Sequence, residues 1–431
     1  MILENSTKTD APSNFFKKKI TQSFSETKYI LLIIALLHLL GLLLCMIDFY
    51  YLKWYIVNYN EGLIPDQQMF QTRGNSVLSG NLPYEGLASW ESLAPPLSMY
   101  ALAVPLIFED IIPIPLAFTY RIYFSIFNLL TCWLMIKIGE KSFPQKKIFL
   151  ATILYGMGPY MVMQAALAGS DECMGAFLMM LVIYLIVYNK PLLTVIFIGL
   201  GTSIKYYPSL LIPYFLATRK TLRSQMKYGL LSSLSVIFFF VPFYFVNPEN
   251  FMLQFNNRIE DVPWNSPGNS GIIMLIVKLQ IIDLFNFETY YRIVWISSLG
   301  ILSAFQIIKK KSSIEDAAIV PTVFFILYPK FFFSYFAIIL PFYCFGFVSR
   351  RYPWILWSLM HVGLLFAGMM NDRVLGYSSV YRQEEGKVPL LLSLGITLFY
   401  SIWIFIWLLI VLKRDLVWEN NQLKFPLLKS I

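Results

Sequence analysis

Apolar runs long enough to cross a lipid bilayer recur along the whole chain and restrict its fold more than any other feature. Runs at 29–47, 228–246, 290–308, 352–370 and 389–412 approach the ~20 residues that a membrane-spanning helix needs. Of the 431 residues, 57% are hydrophobic and 14% are charged, whereas soluble domains carry about 25% charged residues. The sequence therefore predicts an all-α, multi-pass integral membrane protein.

The basic residues lie in clusters between the apolar runs, and these clusters predict the orientation in the membrane. Cytoplasmic loops of membrane proteins carry an excess of Lys and Arg. The clusters are Lys17, Lys18, Lys19 and Lys28; Lys137, Lys141, Lys146 and Lys147; Arg219, Lys220, Arg223 and Lys227; Lys309 to Lys311; Arg350 and Arg351; and Lys413 and Arg414. With all of them in the cytoplasm, the loop 48–96 lies outside. The net charge of +9 thus reflects orientation and does not indicate nucleic acid as a partner.

Twelve spans satisfy this orientation and place both termini in the cytoplasm. They are predicted near 29–47, 117–137, 148–167, 173–188, 191–204, 206–217, 228–246, 290–308, 314–328, 331–348, 352–370 and 389–412. The short segments 191–204 and 206–217 are predicted to pack as a broken pair inside the bundle. The apolar segments 97–116 and 271–285 are predicted to lie along the outer interface or to re-enter the membrane.

The predicted organisation follows from these spans. It comprises a cytoplasmic N-terminal segment 1–28, a transmembrane module 29–350 with a first outer loop 48–96, C-terminal transmembrane helices 351–412, and a cytoplasmic tail 413–431. No cleavable signal peptide is predicted, because no small-residue cleavage site follows the first apolar run.

Neither the cysteines nor the histidines form a pattern typical of a metal or catalytic site. Cys45, Cys132, Cys173 and Cys344 are scattered within or beside the predicted spans without metal-ligand spacing, so they are interpreted as small buried hydrophobic residues. His38 and His361 lie inside apolar runs without a neighbouring acid or serine in sequence. We therefore expect both imidazoles to have packing roles.

The first outer loop is the polar segment in which chemistry is most expected. Asp66 opens a stretch with weak helical spacing from Met69 to Leu78, and a turn follows at Gly80–Pro83. Pro95 and Pro96 then precede an apolar helix. The pattern predicts an amphipathic helix–turn–helix on the outer membrane surface, which holds Asp66 above the bilayer. A solvated loop carboxylate is the alternative interpretation.

Further charged residues are predicted on the same side. Asp171 and Glu172 lie between two spans, where helix N-capping and a role in a site are equally open. Lys205 and Lys330 interrupt apolar stretches, and ionisable groups at membrane depth indicate function by default. A lipid phosphate would pair with them, as it would with Arg258 in the outer loop 257–271 or with Arg121. Snorkelling to the interface is the alternative for the lysines.

Several motifs, taken in order, resemble multispanning glycosyltransferases of the GT-C superfamily. They are Asp66, Phe70, "SGNLPY" (79–84), "APPLSMYALAVP" (94–105), "GSDE" (169–172), "IKYYP" (204–208) and "PKFFFSYFAIILP" (329–341). The sequence is most similar to polyprenyl-phosphate-mannose-dependent mannosyltransferases, including glycosylphosphatidylinositol mannosyltransferase I. The resemblance covers roughly 60–350, and it implies a GT-C-type bundle of about twelve transmembrane helices.

The resemblance also implies an activity and a set of site residues. Asp66 matches the catalytic acid and would act as general base when an acceptor hydroxyl attacks the anomeric carbon of a sugar on a polyprenyl phosphate. The substrate-binding residues would be Lys205, Lys330, Arg258, Tyr84, Asp171 and Glu172. Basic side chains would stabilise the departing phosphate. The family likeness suggests inversion, from a β-linked donor to an α-glycoside.

One departure from the family concerns metal binding. The mannosyltransferase I branch has an Asp-x-Asp motif, and Ile64 occupies its first position here. Metal-independent chemistry is therefore favoured and no cofactor is predicted, although the binding of a divalent metal is not excluded by the sequence.

The remaining expectations concern the substrates, the membrane and two rival functions. The sugar is expected to be mannose, and the acceptor is a lipid, a glycan or a protein. The expected membrane is the plasma membrane of a prokaryote rather than the endoplasmic reticulum, and the expected partners are lipids, not nucleic acid. A lipid-linked sugar flippase or transporter is the main alternative function, and a catalytically inactive scaffold is the third.

Overall fold

The computed structural model describes residues 12–52, 63, 65–87, 92, 94–111, 113–252, 284–328, 333–349, 354–355, 357–362, 417–419 and 422–424. These residues are helical apart from turns and one short antiparallel hairpin. The hairpin pairs β1 (Val417–Glu419) with β2 (Gln422–Lys424). The prediction of an all-α chain with apolar, membrane-type helices is confirmed at this level.

Thirteen helices follow one another within the described residues, mostly with short connections. They are α1 (Pro12–Ile47, continued by a π-helical turn Asp48–Leu52), α2 (Pro65–Leu78), α3 (Pro96–Ile111), α4 (Leu116–Gly139), α5 (Gln145–Gly156), α6 (Pro159–Val162, continued by a π-helical segment Met163–Ala168), α7 (Glu172–Val187), α8 (Pro191–Ile204), α9 (Ile212–Ala217, after a 3-10 helix Tyr207–Leu211), α10 (Leu222–Tyr244), α11 (Leu284–Ile308), α12 (Ile319–Leu327, after a 3-10 helix Ile314–Ala318) and α13 (Phe336–Val348, after a 3-10 helix Phe333–Tyr335).

Three helical stretches in the described residues are long and apolar enough to cross a membrane: Thr27–Leu52, Leu116–Gly139 and Leu222–Tyr244. A fourth crossing results if Gln145–Gly156 and Pro159–Ala168, bent by 48° at their break, form one span. Shorter apolar helices occupy most of the other predicted spans. The structure therefore supports an integral membrane protein, and the count of twelve spans stays a prediction.

The predicted break between 191–204 and 206–217 is present. Helix α8 ends at Ile204, and Lys205 has extended backbone angles (φ −145°, ψ 129°). The chain resumes as a 3-10 helix with Pro208 in its first turn. Proline has no backbone N–H to donate to the carbonyl four residues earlier, and its ring clashes with that carbonyl. For Pro208 this carbonyl belongs to Ile204, which explains why α8 stops there and leaves Lys205 at a corner.

Loop contacts show that three of the basic clusters meet at one end of the bundle, here called the basic end. The Tyr188 hydroxyl donates to the carbonyl of Lys137 at 3.1 Å, and Arg219 Nη1 donates to Oδ1 of the neighbouring Asn189 at 3.4 Å. Lys310 Nζ donates to the carbonyl of Lys220 at 3.5 Å. This is the arrangement that the charge pattern predicts, although the side of the membrane on which it lies stays a prediction.

The first outer loop folds as the predicted helix–turn–helix wherever it is described. After α2, Gly80 has a φ of +89°, a left-handed value that glycine adopts without strain, and α3 begins at Pro96. Helix α3 is held against α4 by the hydroxyls of Tyr120 and Tyr123, which donate to the carbonyls of Leu102 (3.3 Å) and Ala101 (2.9 Å).

The predicted structural roles of the cysteines and histidines fit the packing. All four cysteines are free thiols in buried positions, so the cysteine prediction is confirmed. His38 Nε2 lies 2.8 Å from the side-chain nitrogen of the buried Asn128. His361 packs against Gly158, where an added Cβ would collide with the imidazole ring.

Candidate functional site

The charged residues at the end of the bundle opposite the basic end form a buried ion cluster. Lys205 Nζ lies 2.7 Å from Asp171 Oδ2 and 3.2 Å from Glu172 Oε1. The side chains of Lys205, Asp171 and Glu172 are 12%, 17% and 7% exposed, respectively. We call these three residues the acid–lysine cluster, and the end that holds them the acidic end.

The position of Asp171 separates the two interpretations left open by the sequence. Asp171 is the N-cap residue of α7, but the structure gives its side chain no capping hydrogen bond. Instead, the Ser170 hydroxyl accepts a hydrogen bond from the backbone nitrogen of Glu172 at 3.4 Å. The Asp171 carboxylate is therefore used for the ion pair with Lys205 and not for the helix cap.

Burial has opposite effects on the pKa values of Glu172 and Lys205. It raises the pKa of the Glu172 carboxyl, a shift that Lys205 opposes and that Asp171 and Asp66 increase. Burial by itself lowers the pKa of Lys205, but the charges of Asp171 and Glu172 outweigh it and leave that pKa raised. Among the described atoms, Glu172 Oε2 has no hydrogen-bond partner. A protonated Glu172 beside an Asp171–Lys205 pair makes the cluster neutral, which lowers the cost of its burial.

Asp66 lies at the same end of the bundle as this cluster, because the side chain of the next residue, Gln67, donates to the carbonyl of Ala168, three residues before Asp171. Asp66 occupies the first turn of α2 and is half-buried. Its charge contributes to the raised pKa of Glu172, so the two carboxyl groups are within electrostatic range. A carboxylate in the first turn also interacts favourably with the helix dipole, which is its structural role.

Arg121 joins α2 to the segment before α7. Its side chain is fully buried, and its Nε donates to the carbonyl of Leu167 at 2.8 Å. Its Nη1 donates to the carbonyl of Ala117 at 2.6 Å and to Gln67 Oε1 at 3.4 Å. Arg121 therefore holds the residue next to Asp66.

Tyr84 is placed inside the protein. Its side chain is fully buried, its φ is +74°, and its hydroxyl donates to the carbonyl of Ala94 at 2.8 Å. The side chain of Asn250 donates to the carbonyls of Tyr84 (3.1 Å) and Leu87 (3.3 Å), and that of Asn247 donates to Tyr84 (3.4 Å). These contacts anchor the first outer loop to the chain beyond α10. A substrate contact by Tyr84 stays a prediction.

Lys330 and Arg258 lie outside the described residues, so their predicted contacts with a lipid phosphate stay predictions. Lys205 is described, and its ammonium group already has two carboxylate partners within the chain. A lipid phosphate would have to compete with these carboxylates. Substrate binding by Lys205, Asp171 and Glu172 likewise stays a prediction.

The described residues also bear on the question of a metal. Among them, no group of three or more His, Cys, Asp or Glu side chains is placed to hold a metal ion. Between Asp171 and Glu172, the cationic position is occupied by Lys205 Nζ. Metal-independent chemistry remains a prediction from Ile64 and the family likeness.

Sequence reasoning missed several residues that shape this site. Gln67 follows Asp66 directly, and Gly169 opens the "GSDE" motif, but neither was assigned a role. Asn247 and Asn250 flank Pro248 and Glu249, and the Asn-Pro pair carries a turn signal in the sequence. In the structure residues 248–252 are helical, and Asn247 Oδ1 accepts a hydrogen bond from the backbone nitrogen of Asn250 at 3.0 Å. The carbonyl partners of the two asparagines are more than 160 positions earlier in the chain, a distance across which local patterns carry no information.

Comparison with known proteins adds no family to this description. No family model matches the chain, and no curated protein is similar enough to count as a relative. The resemblance to GT-C glycosyltransferases therefore depends on the sequence motifs alone. Chemically, the geometry offers a half-buried carboxylate within electrostatic range of a buried cluster, in which burial raises the pKa of the Glu172 carboxyl.

Proposed function

We propose that this protein is an inverting glycosyltransferase that moves a sugar, with mannose as the first candidate, from a polyprenyl-phosphate donor to an acceptor hydroxyl on the extracytoplasmic side. The observation that carries the proposal is the position of Asp66. This carboxylate lies in the first turn of α2, within electrostatic range of Glu172, at the end of an apolar bundle opposite the basic loops.

In the proposed step, the acceptor oxygen attacks C1 of the sugar while the bond between C1 and the phosphate oxygen breaks. The Asp66 carboxylate takes the hydroxyl proton, and the polyprenyl phosphate leaves with the bonding electron pair. The phosphate is a good leaving group, so no strong acid is needed. Positioned proton transfer of this kind contributes about 10²- to 10⁴-fold to a rate.

The acid–lysine cluster supports this step electrostatically. Burial raises the pKa of the Glu172 carboxyl, and a protonated Glu172 would limit the negative charge that the cluster adds near Asp66. Lys330 and Arg258 are the predicted contacts of the departing phosphate, because Lys205 is held by Asp171 and Glu172.

The direct test is Asp66→Asn in purified protein reconstituted into liposomes. Radiolabelled polyprenyl-phosphate mannose, glucose and arabinose are supplied in turn with extracted lipid acceptors, and glycosylated product is measured. We expect Asp66→Asn to lower the turnover by at least about 100-fold, with normal expression and membrane insertion.

The matched control is Glu85→Gln. Glu85 is an exposed acid of the same loop, and its side chain accepts a hydrogen bond from the backbone nitrogen of Leu82 at 3.1 Å. We expect this variant to keep nearly full activity. Full activity in Asp66→Asn would remove Asp66 from the mechanism. Movement of the donor lipid across the bilayer without any product would instead identify a flippase.

A further inference from the structure

Two side chains from different helices bind consecutive carbonyl groups just before the acid–lysine cluster. Arg121 of α4 donates to the carbonyl of Leu167 at 2.8 Å, and Gln67 of α2 donates from Nε2 to the carbonyl of Ala168 at 3.3 Å. The two side chains also contact each other, since Arg121 Nη1 donates to Gln67 Oε1 at 3.4 Å. Both are fully buried.

The carbonyls are available because a helix ends there. The π-helical segment Met163–Ala168 stops at Gly169, whose backbone is left-handed (φ 64°, ψ 53°). The last carbonyls of a helix have no partner within the helix and need donors from elsewhere. Arg121 and Gln67 supply those donors, and they do so from two different elements.

Gly169 is required by this arrangement for two independent reasons. Its left-handed conformation is costly for residues with a side chain. A Cβ at this position would also collide with Gln67 Nε2 and would lie 2.9 Å from Arg121 Cγ. The close approach of α2 and α4 to the chain at this point thus depends on the absence of a side chain. We call Arg121, Gln67 and Gly169 the junction.

The junction lies between the carboxylates of the proposed site. Asp66 is the neighbour of Gln67 on one side, and Asp171 follows Gly169 by two residues on the other. The junction therefore fixes the start of α2 relative to the start of α7. An Arg guanidinium suits this position because its planar fork donates in several directions at once, which a Lys ammonium does not reproduce.

We propose that Arg121 and Gln67, packed on Gly169, are positioning residues that hold the Asp66 carboxylate in place against the acid–lysine cluster for proton transfer. This inference rests on the proposed glycosyl transfer and deepens it. The residues act through Asp66 and touch no substrate themselves. A displacement of about 1 Å in a reacting group can lower a rate by about 100-fold, so loss of the junction lowers turnover without removing a chemical group.

The main variant is Gln67→Met, which keeps the length of the side chain and removes both hydrogen bonds. We expect kcat to fall by about 10- to 100-fold, with KM for the donor changed less than about twofold because donor contacts remain. The matched control is Gln68→Met. Gln68 is the next residue and donates to the carbonyl of Leu63 at 3.0 Å, outside the junction. We expect it to retain kcat within about threefold.

A double-mutant cycle distinguishes positioning from general damage. Gln67→Met introduced into Asp66→Asn should lower the residual kcat by less than about threefold, because the group it positions is already gone. If kcat of the double variant falls by the product of the two single-variant losses, the proposal is overturned. An unchanged kcat in Gln67→Met would overturn it as well. If Gln67→Met does not fold, Gln67→Glu keeps the acceptor for Arg121 and removes the donor to Ala168.

Hydrogen exchange measured by mass spectrometry separates failure of this inference from failure of the proposed function. Gln67→Met should speed amide exchange in 65–72 and 167–172, and Gln68→Met should leave 167–172 unchanged. If the wild-type protein transfers no sugar from any donor tested, the proposed function fails. The exchange pattern then decides alone whether the junction holds α2, and unchanged exchange in Gln67→Met overturns it.

Discussion

The two ends of the bundle use the same kinds of charged residue in different surroundings. At the acidic end, Lys205 is 12% exposed and lies between two carboxylates. At the basic end, Lys137 pairs with Glu140 at 2.9 Å, and these side chains are 23% and 36% exposed. The distances are similar. The burial differs, and it decides how much stability is lost when one member of each ion pair is removed.

Solvent explains the difference. An exposed pair exchanges contacts with water for contacts with its partner and gains little, about 0–1 kcal/mol. A buried charge has already lost its water, so removal of its partner leaves it uncompensated at a cost of about 3–5 kcal/mol. A buried cluster is therefore costly to assemble, and its stability is sensitive to the loss of any one member.

The largest predicted effect compares Lys205→Met with Lys137→Met. Loss of Lys205 leaves Asp171 and Glu172 buried without their cation, and we expect a stability loss of about 3–5 kcal/mol. Loss of Lys137 should cost at most about 1 kcal/mol. Thermal or denaturant unfolding in detergent measures both. Equal losses in the two variants would show that the ends do not differ as described.

A smaller effect is expected from glycines at two helix contacts of α10, one with α8 and one with α9. A Cβ at Gly199 of α8 would lie 2.6 Å from the backbone carbonyl of Ser235 in α10. Gly199→Ala must therefore push the helices apart and displace Lys205 at the end of α8, and we expect it to cost about 1–3 kcal/mol. Small residues allow such close approach between membrane helices.

Gly229, nearer the basic end of α10, is the control for Gly199. A Cβ there would meet only the end of the Leu216 side chain, at 3.5 Å. We expect Gly229→Ala to be neutral or to stabilise the helix by up to about 1 kcal/mol, since alanine is the better helix former. If both alanine variants lower the melting temperature by the same amount, close packing does not distinguish these two helix contacts.

The smallest predicted effect is a change in how steeply the free energy of unfolding varies with pH. Because the pKa of Glu172 is raised in the folded state, the native protein binds its proton more tightly than the unfolded chain does. The resulting stabilisation is complete below the unfolded pKa and is lost as the pH rises through the folded pKa, by at most about 1.4 kcal/mol per pH unit.

Glu172→Gln should remove this contribution to the pH dependence of the free energy of unfolding, because an amide does not titrate. Unfolding measured across the interval from the ordinary Glu pKa of 4.5 to the folded pKa of about 7 should give a flatter profile for Glu172→Gln than for the wild type. A wild-type profile whose slope survives in Glu172→Gln would place the responsible proton on another group.

Much of the fold was predictable from hydrophobic periodicity. The predicted span 191–204 coincides with α8, and 117–137 and 173–188 differ from α4 and α7 by one or two residues at each end. The predicted single span 148–167 is instead bent near 157–158, where Gly158 and Pro159 interrupt the helix. Apolar length alone carries no information on such a bend.

The site was predictable in its residues but not in its contacts. Asp66, Asp171, Glu172 and Lys205 were all named from the sequence as site residues. Lys205 was expected to pair with a lipid phosphate, and it lies instead between carboxylates 33 and 34 residues earlier. The first outer loop was predicted to form an amphipathic helix–turn–helix on the outer membrane surface, and Gln67 of that loop is fully buried and bonded within the protein.

The attachment of the first outer loop to Asn247 and Asn250 has an evolutionary consequence. The amide groups of these residues bind main-chain carbonyls of Tyr84 and Leu87, which every amino acid possesses. The attachment therefore recognises the path of the backbone, and neighbouring loop side chains can be exchanged without loss of it. The side chains of a loop attached in this way can change by substitution while its supporting framework stays the same.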